Sequence, residues 1–434
     1  MIEIVPLLIC LDSILSSTSL RQLRHVVFAM LCIPNRATML GLSRWTERGG
    51  SYRTLQRFYQ SPVNWAMLHW TLIRTHLLTS GSPYLLAGDE VVVSKAGKET
   101  HGAGCFYSGL AQRVIPGVSF LTISLIDVTE RRSYPLQIEQ LLPQSPTKAT
   151  PSDEPKRKPG RPSGSKNHVK ADARLTPELT ALQRLLNTIR VLIKVKLIVL
   201  DGKFGTYPAT WAVRQCEMDI ISKMRHDAAL YLPYAGEKPA RGPTPRYGHK
   251  LNYAHLPTHC WVSTHTEGDY RLDTYHIQAY HKGYPELLNI VVVVKTHFTN
   301  GKHGHVVLFS TALDLTAWQI VDYYSLRFQI EFNFRDAKQH WGLEDFMNVS
   351  QQAVTNAVNL SFFMVNLSHV MLRSCAEDGL SVLDLKAQFR AQRYLSETIK
   401  MLPDPPDEHL VSHIWRQLTR FGGIRTRQCD HLAA

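Results

Sequence analysis

The spacing of hydrophobic residues predicts helices at both ends of the chain and strands between them. In residues 1–80, apolar residues recur at helical spacing, as in LRQLRHVVFAMLCI, which begins at Leu20. From Tyr84 onward the pattern changes to β-branched or alternating runs separated by turn residues, such as YLLAGDEVVVSK and GVSFLTISLIDV. After Gln351 the spacing is again that of helices. The chain is therefore predicted to mix α and β structure.

The middle of the chain predicts a sheet covered by helices. The helix TPELTALQRLLNTIRVLI precedes the strand KLIVL, and a second helix, from Pro208 to about Cys216, leads to the strand MDIISKMR. This order of elements is typical of a mixed or parallel sheet. Residues 226–310 are rich in strands with no strong helix between them, so we predict a β-rich insertion inside the α/β domain.

One predicted helix carries a row of charges. The segment LTAWQIVDYYSLRFQIEFNFRDAKQHW contains no Gly or Pro before its end, and its length predicts a single helix rather than a strand. An α-helix turns by about 100° per residue, so residues spaced by three, four or seven share one face. One narrow stripe of the predicted helix contains Tyr324, Arg327, Glu331, Arg335 and Lys338.

Apolar residues flank this stripe on both sides, Phe328 and Phe332 on one and Leu326, Ile330, Phe334 and Ala337 on the other. A helix with two apolar seams packs on both sides, so we expect the stripe to line a crevice. Charges in a crevice need partners, because burying them unpaired costs several kcal/mol. The stripe is therefore a candidate site for phosphates and metal. The alternative is a set of i,i+4 ion pairs on a solvated face, and the helix alone does not decide between the two.

Two aspartates lie where strands are predicted. Asp89 lies within YLLAGDEVVVSK, and Asp201 follows KLIVL at the point where a buried strand would leave the sheet. Ligand sites of open α/β sheets lie at such strand ends, and phosphodiester chemistry uses hard cations held by carboxylates. Two alternatives stay open. An Asp at a strand end is often a turn residue or a helix N-cap, and Glu90 and Asp127 compete as ligands.

The net charge of the chain indicates a polyanionic binding partner. The 434 residues have a formal net charge of +13 and a pI near 9.4, which favours nucleic acid first and an anionic membrane second. The seven cysteines stand singly without a CxxC pair, which argues against a zinc ribbon and indicates a reducing compartment. The apolar N-terminal segment lacks the basic start of a signal peptide. We therefore expect a soluble cytoplasmic protein.

The spacing of Tyr324, Arg327, Glu331 and Lys338 resembles the Y-R-E-K signature of a group of bacterial insertion-sequence transposases. These are DDE enzymes with an RNase H-like core related to retroviral integrases. GDEVVVSKAGK and VLDGKFG resemble the surroundings of the first and second aspartates of that family, with a departure at Glu90, where many relatives have Asp followed by Thr. The resemblance covers roughly residues 35 to 370. It implies an α/β fold, with an RNase H-like mixed sheet and a β-rich insertion before the catalytic glutamate helix.

The resemblance also implies a reaction. The catalytic carboxylates of the family, which hold Mg²⁺ and accept Mn²⁺ in its place, correspond to Asp89, Asp201 and Glu331. The implied reaction is cut-and-paste transposition by a homodimer on paired ends. Double-stranded DNA is nicked at the terminal inverted repeats, and the freed 3′-OH then attacks in strand transfer to target DNA. The alternatives are a domesticated, non-catalytic DNA-binding protein and an RNase H-like nuclease.

Further residues are candidates for DNA binding. The family's contacts to element-end DNA and its phosphates correspond to Tyr324, Arg327 and Lys338, and Arg335 shares their stripe. In KRKPGRPSGSK, Lys158 and Arg161 belong to a segment that resembles an AT-hook core, in which an extended Arg enters a narrow minor groove. A flexible basic linker would look similar. A second basic patch, KPARGPTPRYGHK, either contacts DNA or forms a loop.

These expectations place the protein on the nucleoid. They also divide the chain into five parts. The five parts are a helical N-terminal DNA-binding region (1–80), a first part of the catalytic core (81–225), a β-rich insertion (226–310), the glutamate helix of the core (311–350) and a helical C-terminal region (351–434). A basic linker rich in Pro, Ser and Lys interrupts the core at residues 143–174.

Overall fold

The structure is a computed structural model that describes residues 4–46, 49–109, 111–143, 173–239, 241–375, 379–404 and 406–418. These residues form two compact units. The first takes its described residues from Met1–Pro83, Val91–Gln140 and Gln329–Ala434, and the second from Tyr84–Glu90 and Leu141–Phe328. The predicted linker lies outside the described residues except at its two ends, and Lys158 and Arg161 lie outside them with it.

The helices are, in chain order, α1 (Ile4–Leu8), α2 (Ser17–Cys32), α3 (Met39–Ser43), α4 (Tyr52–Gln60), α5 (Trp65–His76), α6 (Pro177–Leu192), α7 (Tyr207–Arg214), α8 (Ala317–Leu326), α9 (Gln329–His340), α10 (Gln351–Ser374), α11 (Val382–Ile399) and α12 (Glu408–Leu418). The strands are β1 (Tyr84–Ser94), β2 (Gly104–Ser108), β3 (Arg113–Asp127), β4 (Arg132–Leu141), β5 (Leu197–Leu200), β6 (Asp219–Met224), β7 (Leu230–Pro233), β8 (Tyr247–Lys250), β9 (Trp261–Glu267), β10 (Tyr270–His281), β11 (Leu287–His297) and β12 (His303–Ser310).

The first unit has a helical core around α10. This helix begins after Ser350, whose side chain accepts a hydrogen bond from the amide of Ala353. It is buried on nearly every side and packs against α4, α5 and α9. In the same unit β3 pairs antiparallel with β2 and also pairs with β4. The long apolar run of β3 is buried, as expected for a strand covered on both faces.

A buried amide fastens α10 to the helices before it. Asn356 is fully buried, and its Nδ2 donates to the carbonyls of Tyr59 and Ser61, both at 2.8 Å. Its Oδ1 accepts from the indole N–H of Trp65 at 2.8 Å. The carbonyls at the end of α4 have no partner in their own helix, so this side chain satisfies them.

The second unit contains a mixed sheet with the strand order β1-β5-β6-β12-β11-β10-β7-β8, and β9 pairs with the free side of β10. The β1–β5 and β5–β6 pairs are parallel, whereas the strands from β12 onward pair antiparallel. Helix α8 packs over β5, β6, β11 and β12. The predicted fold class is confirmed: a mixed α/β protein with a large mixed sheet and helical terminal regions.

The prediction of one continuous helix before Gly342 is wrong. The chain forms α8 and α9, separated by a turn at Arg327 and Phe328. The amides of these two residues bond to the carbonyls of Tyr324 and Ser325, three residues back, which is tighter than the α-helical spacing of four. No Gly or Pro lies at the break, and it coincides with an ion pair that draws the Arg327 side chain inward. The count of about 100° per residue therefore does not extend from α8 into α9.

The predicted second apolar seam is also wrong. Phe328 is 51% exposed and Phe332 is 36% exposed. The opposite seam is confirmed within α9, where Ile330 and Ala337 are fully buried. Phe334 meets a phenylalanine ring of α10, with centroids 6.1 Å apart. One packed side is enough to hold the helix, and a partly exposed Phe costs little.

Among the helices described, none combines the length and the apolar character that crossing a membrane requires.

Candidate active site

Strand register brings the two predicted aspartates side by side. In the parallel pair of β1 and β5, Ala87 lies opposite Val199 and Gly88 lies opposite Leu200. Asp89 and Asp201 are the next residues in the two strands' register, at the end where β5 leaves the sheet. Neighbouring strands lie about 4.8 Å apart, and residues in register point to the same face. The two carboxylates therefore lie next to each other at one end of the sheet in the second unit.

The local structure after β5 leaves the Asp201 carboxylate available. Asp201 occupies the N-cap position of a short 3₁₀ turn, but its side chain accepts no capping hydrogen bond. Its backbone carbonyl instead accepts from the Ser222 hydroxyl and from the Phe204 amide, each at 2.9 Å. The Asp201 side chain therefore does not act as a helix N-cap.

A glycine holds the turn after Asp201 against β6. A Cβ on Gly205 would overlap the backbone carbonyl oxygen of Lys223, so only glycine allows this approach. A Cβ on Gly202, in the same turn, would have its nearest neighbour 3.5 Å away, also in Lys223, which is ordinary contact. The turn thus has one position where a side chain is excluded and one where it is tolerated.

Asp89 is held by an arginine from the end of α8. Arg327 Nη1 lies 2.6 Å from Asp89 Oδ2, and the side chains are 15% and 23% exposed. Asp89 Oδ1 also accepts from the Glu90 amide at 2.8 Å. A charge-assisted bond of this length in a partly buried site is a strong contact. It joins residues 238 positions apart in the sequence.

Tyr324 lies one turn of helix before Arg327 in the same cluster. Burial raises the pKa of its phenol, and the charge of Asp201 and then that of Asp89 raise it further. The charge of Arg327 and a hydrogen bond to it act in the opposite direction. Four sequence-predicted residues are therefore brought together in the second unit, namely Tyr324, Arg327, Asp89 and Asp201.

Glu90 and Asp127, the competing ligands, have other contacts. Lys203 Nζ lies 2.6 Å from Glu90 and 2.7 Å from Glu178. Burial acts to lower the pKa of Lys203, but the hydrogen bonds and charges of the two glutamates outweigh it, and its pKa is raised. In the first unit, Asp127 Oδ1 accepts from the Ser82 hydroxyl and closes the turn after β3.

The remaining signature residues lie on α9 in the first unit. Glu331 is in its first turn, and the spacing keeps Glu331, Arg335 and Lys338 on one face. Lys338 Nζ donates to the Val92 carbonyl at 3.1 Å and lies 3.2 Å from a Glu344 carboxylate oxygen. The guanidinium of Arg335 lies 4.8 Å from the centroid of the Phe332 ring that it covers, and pairs with the neighbouring Asp336.

Two contributing residues were not predicted from the sequence. Lys203 follows Asp201 by two positions in VLDGKFG, and that position was the only signal for its role. Asn333, which lies outside the predicted stripe, is 2% exposed and donates to Ser124 and Ser133. A buried Asn on a helix looks the same as an exposed one until its partners on other strands are known.

The aspartate pair is a candidate part of a divalent-metal site. Two carboxylates on neighbouring strands in register are hard oxygen ligands of the type that Mg²⁺ prefers, and Asp201 has no capping role to give up. The pair therefore fits such an ion in ligand type. Within the described ranges, no group of three His, Cys, Asp or Glu side chains is close enough to hold an ion. The positive charge in contact with Asp89 is that of Arg327.

The chain matches a known family. The family model described as DDE superfamily endonuclease matches residues 10–283, more than half of the chain. The protein belongs to the DDE superfamily endonuclease family. The match includes Asp89 and Asp201 and ends before Glu331. No curated protein matches the chain.

Family membership supplies the class of activity. The protein is a nuclease-type enzyme of the DDE class that acts on DNA, and the family generally uses divalent metal ions such as Mg²⁺. The mixed sheet described above is compatible with an RNase H-like DDE fold.

Proposed function

We propose that the protein is a transposase of the Y-R-E-K group, which cuts and joins DNA in cut-and-paste transposition of an insertion sequence. The observation that carries the proposal is the register that sets Asp89 beside Asp201, with Arg327 and Tyr324 of the signature in the same cluster. Membership of the DDE endonuclease family supports DNA cleavage. The signature spacing supports the narrower group.

Asp89, Asp201 and Glu331 are the proposed catalytic residues and metal ligands. When bound, Mg²⁺ or Mn²⁺ would activate the attacking oxygen and stabilise the leaving one. The two aspartates support this role because Asp89, within β1, and Asp201, directly after β5, follow the last paired residues of two neighbouring strands in register. Glu331 is supported by its place in the signature and in the first turn of α9.

Arg327 is proposed to exchange a carboxylate for a phosphate. A guanidinium binds either group through the same planar fork of N–H donors, so Asp89 and a DNA phosphate compete for it. Tyr324 keeps its phenolic proton, because its pKa is raised, and can donate it to the same phosphate. Lys338 and Arg335 complete the proposed set of contacts to element-end DNA on α9.

The remaining assignments follow from the group. We propose a homodimer on two paired ends, in the cytoplasm and associated with the nucleoid. Terminal inverted repeats and target DNA are its substrates. Residues 1–80 form a DNA-binding region in this proposal, and Lys158 and Arg161 contribute minor-groove or phosphate contacts from the linker.

Cleavage of DNA that contains paired element ends tests the proposal. Asp201→Asn and Glu331→Gln should each abolish Mg²⁺-dependent strand cleavage, because each removes a charged metal ligand. Asp314→Asn is the matched control: Asp314 is exposed just before α8, and its loss should leave cleavage unchanged. Wild-type rates in both active-site variants would mean that the assigned site is wrong.

The same assay separates the rival functions. A stand-alone nuclease would cut DNA without paired, defined ends, and a non-catalytic DNA-binding protein would bind the ends and cut nothing. The DNA that flanks the gene gives an independent check. Terminal inverted repeats bracketed by short direct duplications are expected on either side of it.

A further inference from the structure

The cations around the two aspartates are already paired. Arg327 contacts Asp89, and Lys203 bridges Glu90 and Glu178. The cations in contact with these carboxylates are therefore neutralised, although the chain carries a formal charge of +13. Some of that excess is found at the opposite end of the same sheet.

Strand pairing identifies the opposite end. Asp201 follows β5, and β6 runs parallel to β5. Antiparallel β12 ends at Ser310, opposite Ile221 near the start of β6. Strand β11 therefore starts at the end of the sheet away from Asp201, and β10 finishes there with Tyr280.

Three tyrosines form a cluster at this end. Tyr280 lies opposite Tyr231 in the β10–β7 pair. The ring of Tyr247, in β8, is 5.6 Å from that of Tyr231 and 5.8 Å from that of Tyr280, edge to face in both cases. The guanidinium of Arg246 lies 4.2 Å from the Tyr280 ring centroid, and Lys282 Nζ lies 4.9 Å from that of Tyr231. We call this cluster, with Lys250, the Arg246 face.

Lys250 points to the same side of the sheet, because it lies directly opposite Tyr231 in the β7–β8 pair. It is exposed, as are Arg246 and Lys282. Among the described residues, no carboxylate lies within 4.0 Å of the charged groups of these three cations. The basic patch KPARGPTPRYGHK thus ends in a strand of the sheet and presents cations from a fixed platform rather than from a loop alone.

The acidic residues of the neighbourhood are few. Residues 230–250 and 280–287 contain five Lys or Arg and two Glu. One of these, Glu286, is 4.0 Å from Arg214. The face is therefore positively charged, and its ligand must be a polyanion.

The contacts of the tyrosine rings indicate which kind of polyanion binds this face. Bases of a single strand bind by stacking on open aromatic faces. Here the tyrosine rings are engaged by one another, by Arg246 and by Lys282. What the face offers outward is cations, which suit the regularly spaced phosphates of a duplex.

We propose that the Arg246 face binds the phosphate backbone of double-stranded DNA, at the end of the sheet opposite Asp89 and Asp201. The proposal rests on the proposed function, since it takes DNA as the substrate. DNA on this face is a segment other than the one being cut, either the flank of the element or the target. The patch therefore adds general affinity and does not take part in cleavage.

The test is the affinity of the full chain for a 40-base-pair duplex without element ends. Fluorescence anisotropy measures this affinity at several salt concentrations. Lys250→Gln combined with Lys282→Gln removes two charges and leaves Arg246 over its ring. We expect affinity to fall about tenfold or more at low salt, and the slope of log affinity against log salt to decrease by about 2, since each phosphate contact contributes about 0.9.

The matched control is Lys295→Gln combined with Lys302→Gln. It removes two exposed charges from the same insertion, and Lys295 also lies over a tyrosine ring, 4.0 Å from the Tyr270 centroid. Its affinity should change by less than about twofold. Equal weakening in the two double variants would show a net-charge effect and overturn the proposal. Urea unfolding midpoints of both variants should equal that of the wild type.

Two further readouts keep this proposal separate from the proposed function. Cleavage of a short duplex carrying one element end should be unchanged in the Lys250 and Lys282 variant. Loss of that cleavage would place the face in the catalytic machinery and overturn the assignment. A variant that loses single-stranded but not duplex binding would show base stacking and also overturn it. If the wild type cleaves nothing, the proposed function fails while the anisotropy comparison still decides this surface.

Discussion

The turn after Asp201 allows a specific prediction, because its two glycines differ in whether the structure has room for a side chain. At Gly205 a Cβ would overlap the Lys223 carbonyl oxygen and lie 3.1 Å from the Gly202 carbonyl oxygen. Both neighbours are backbone atoms and cannot rotate away. At Gly202 the nearest neighbour of a Cβ is 3.5 Å away. Gly205→Ala should therefore push the turn off β6, and Gly202→Ala should not.

The expected magnitude combines two opposing effects. Forcing an extra carbon into a packed site costs about 1–3 kcal/mol. Replacing Gly by Ala also restricts the unfolded chain, which stabilises the fold by about 0.4–1 kcal/mol. Gly205→Ala should thus lower the free energy of unfolding by about 1–2 kcal/mol. Gly202→Ala should leave it unchanged or raise it by up to about 1 kcal/mol.

Urea unfolding measures the first effect, and strand cleavage measures what it does to the site. Moving the turn displaces Asp201, and a displacement of about 1 Å costs roughly 100-fold in rate at a positioned catalytic group. Gly205→Ala should therefore lose cleavage under conditions where it remains folded. Identical unfolding midpoints and cleavage rates in the two variants would refute the reasoning from this turn.

Three other outcomes are expected. Burial lowers the pKa of His69 to about 3 and of His369 to about 4. The unfolded chain takes up these protons near pH 6.5, so stability should fall as the pH decreases from about 6.5 towards 4. Urea midpoints across that range check this, and His69→Gln should flatten the decline. Asn356→Ala leaves the indole N–H and backbone carbonyls of its network without partners, and should cost about 3 kcal/mol in the same assay. Arg327→Gln leaves the paired aspartates without their counter-charge, so added Mg²⁺ should raise the melting temperature more than in the wild type; a smaller Mg²⁺ shift would show that Arg327 supports metal binding.

Much of the architecture was predictable because it depends on local spacing. Apolar periodicity predicted the terminal helices and the strands from Tyr84, and β-branched runs predicted strands in residues 226–310, where the structure has β7 to β12. Asp89 was recognisable as a residue within a strand, and Asp201 as a strand-end residue, from the runs around them. These are properties of a few neighbouring residues, and one sequence displays them directly.

The tertiary structure decided what depends on distant partners. Sequence spacing supported one helix through Arg327, and the structure breaks it where that side chain pairs with Asp89, 238 residues away. Whether Asp201 capped a helix or remained available depended on a carbonyl that turns toward Ser222 of the next strand. Burial of Asn333 depended on two serines more than 190 residues before it.

What the amino-acid sequence alone determined about this protein is which residues are helical or extended and which side chains could do chemistry. The fold decided which of them meet, which cations are already neutralised, and where uncompensated charge remains. Periodicity is set by bonds between near neighbours, whereas pairing depends on strand register and on contacts between segments that the chain brings together only when it folds.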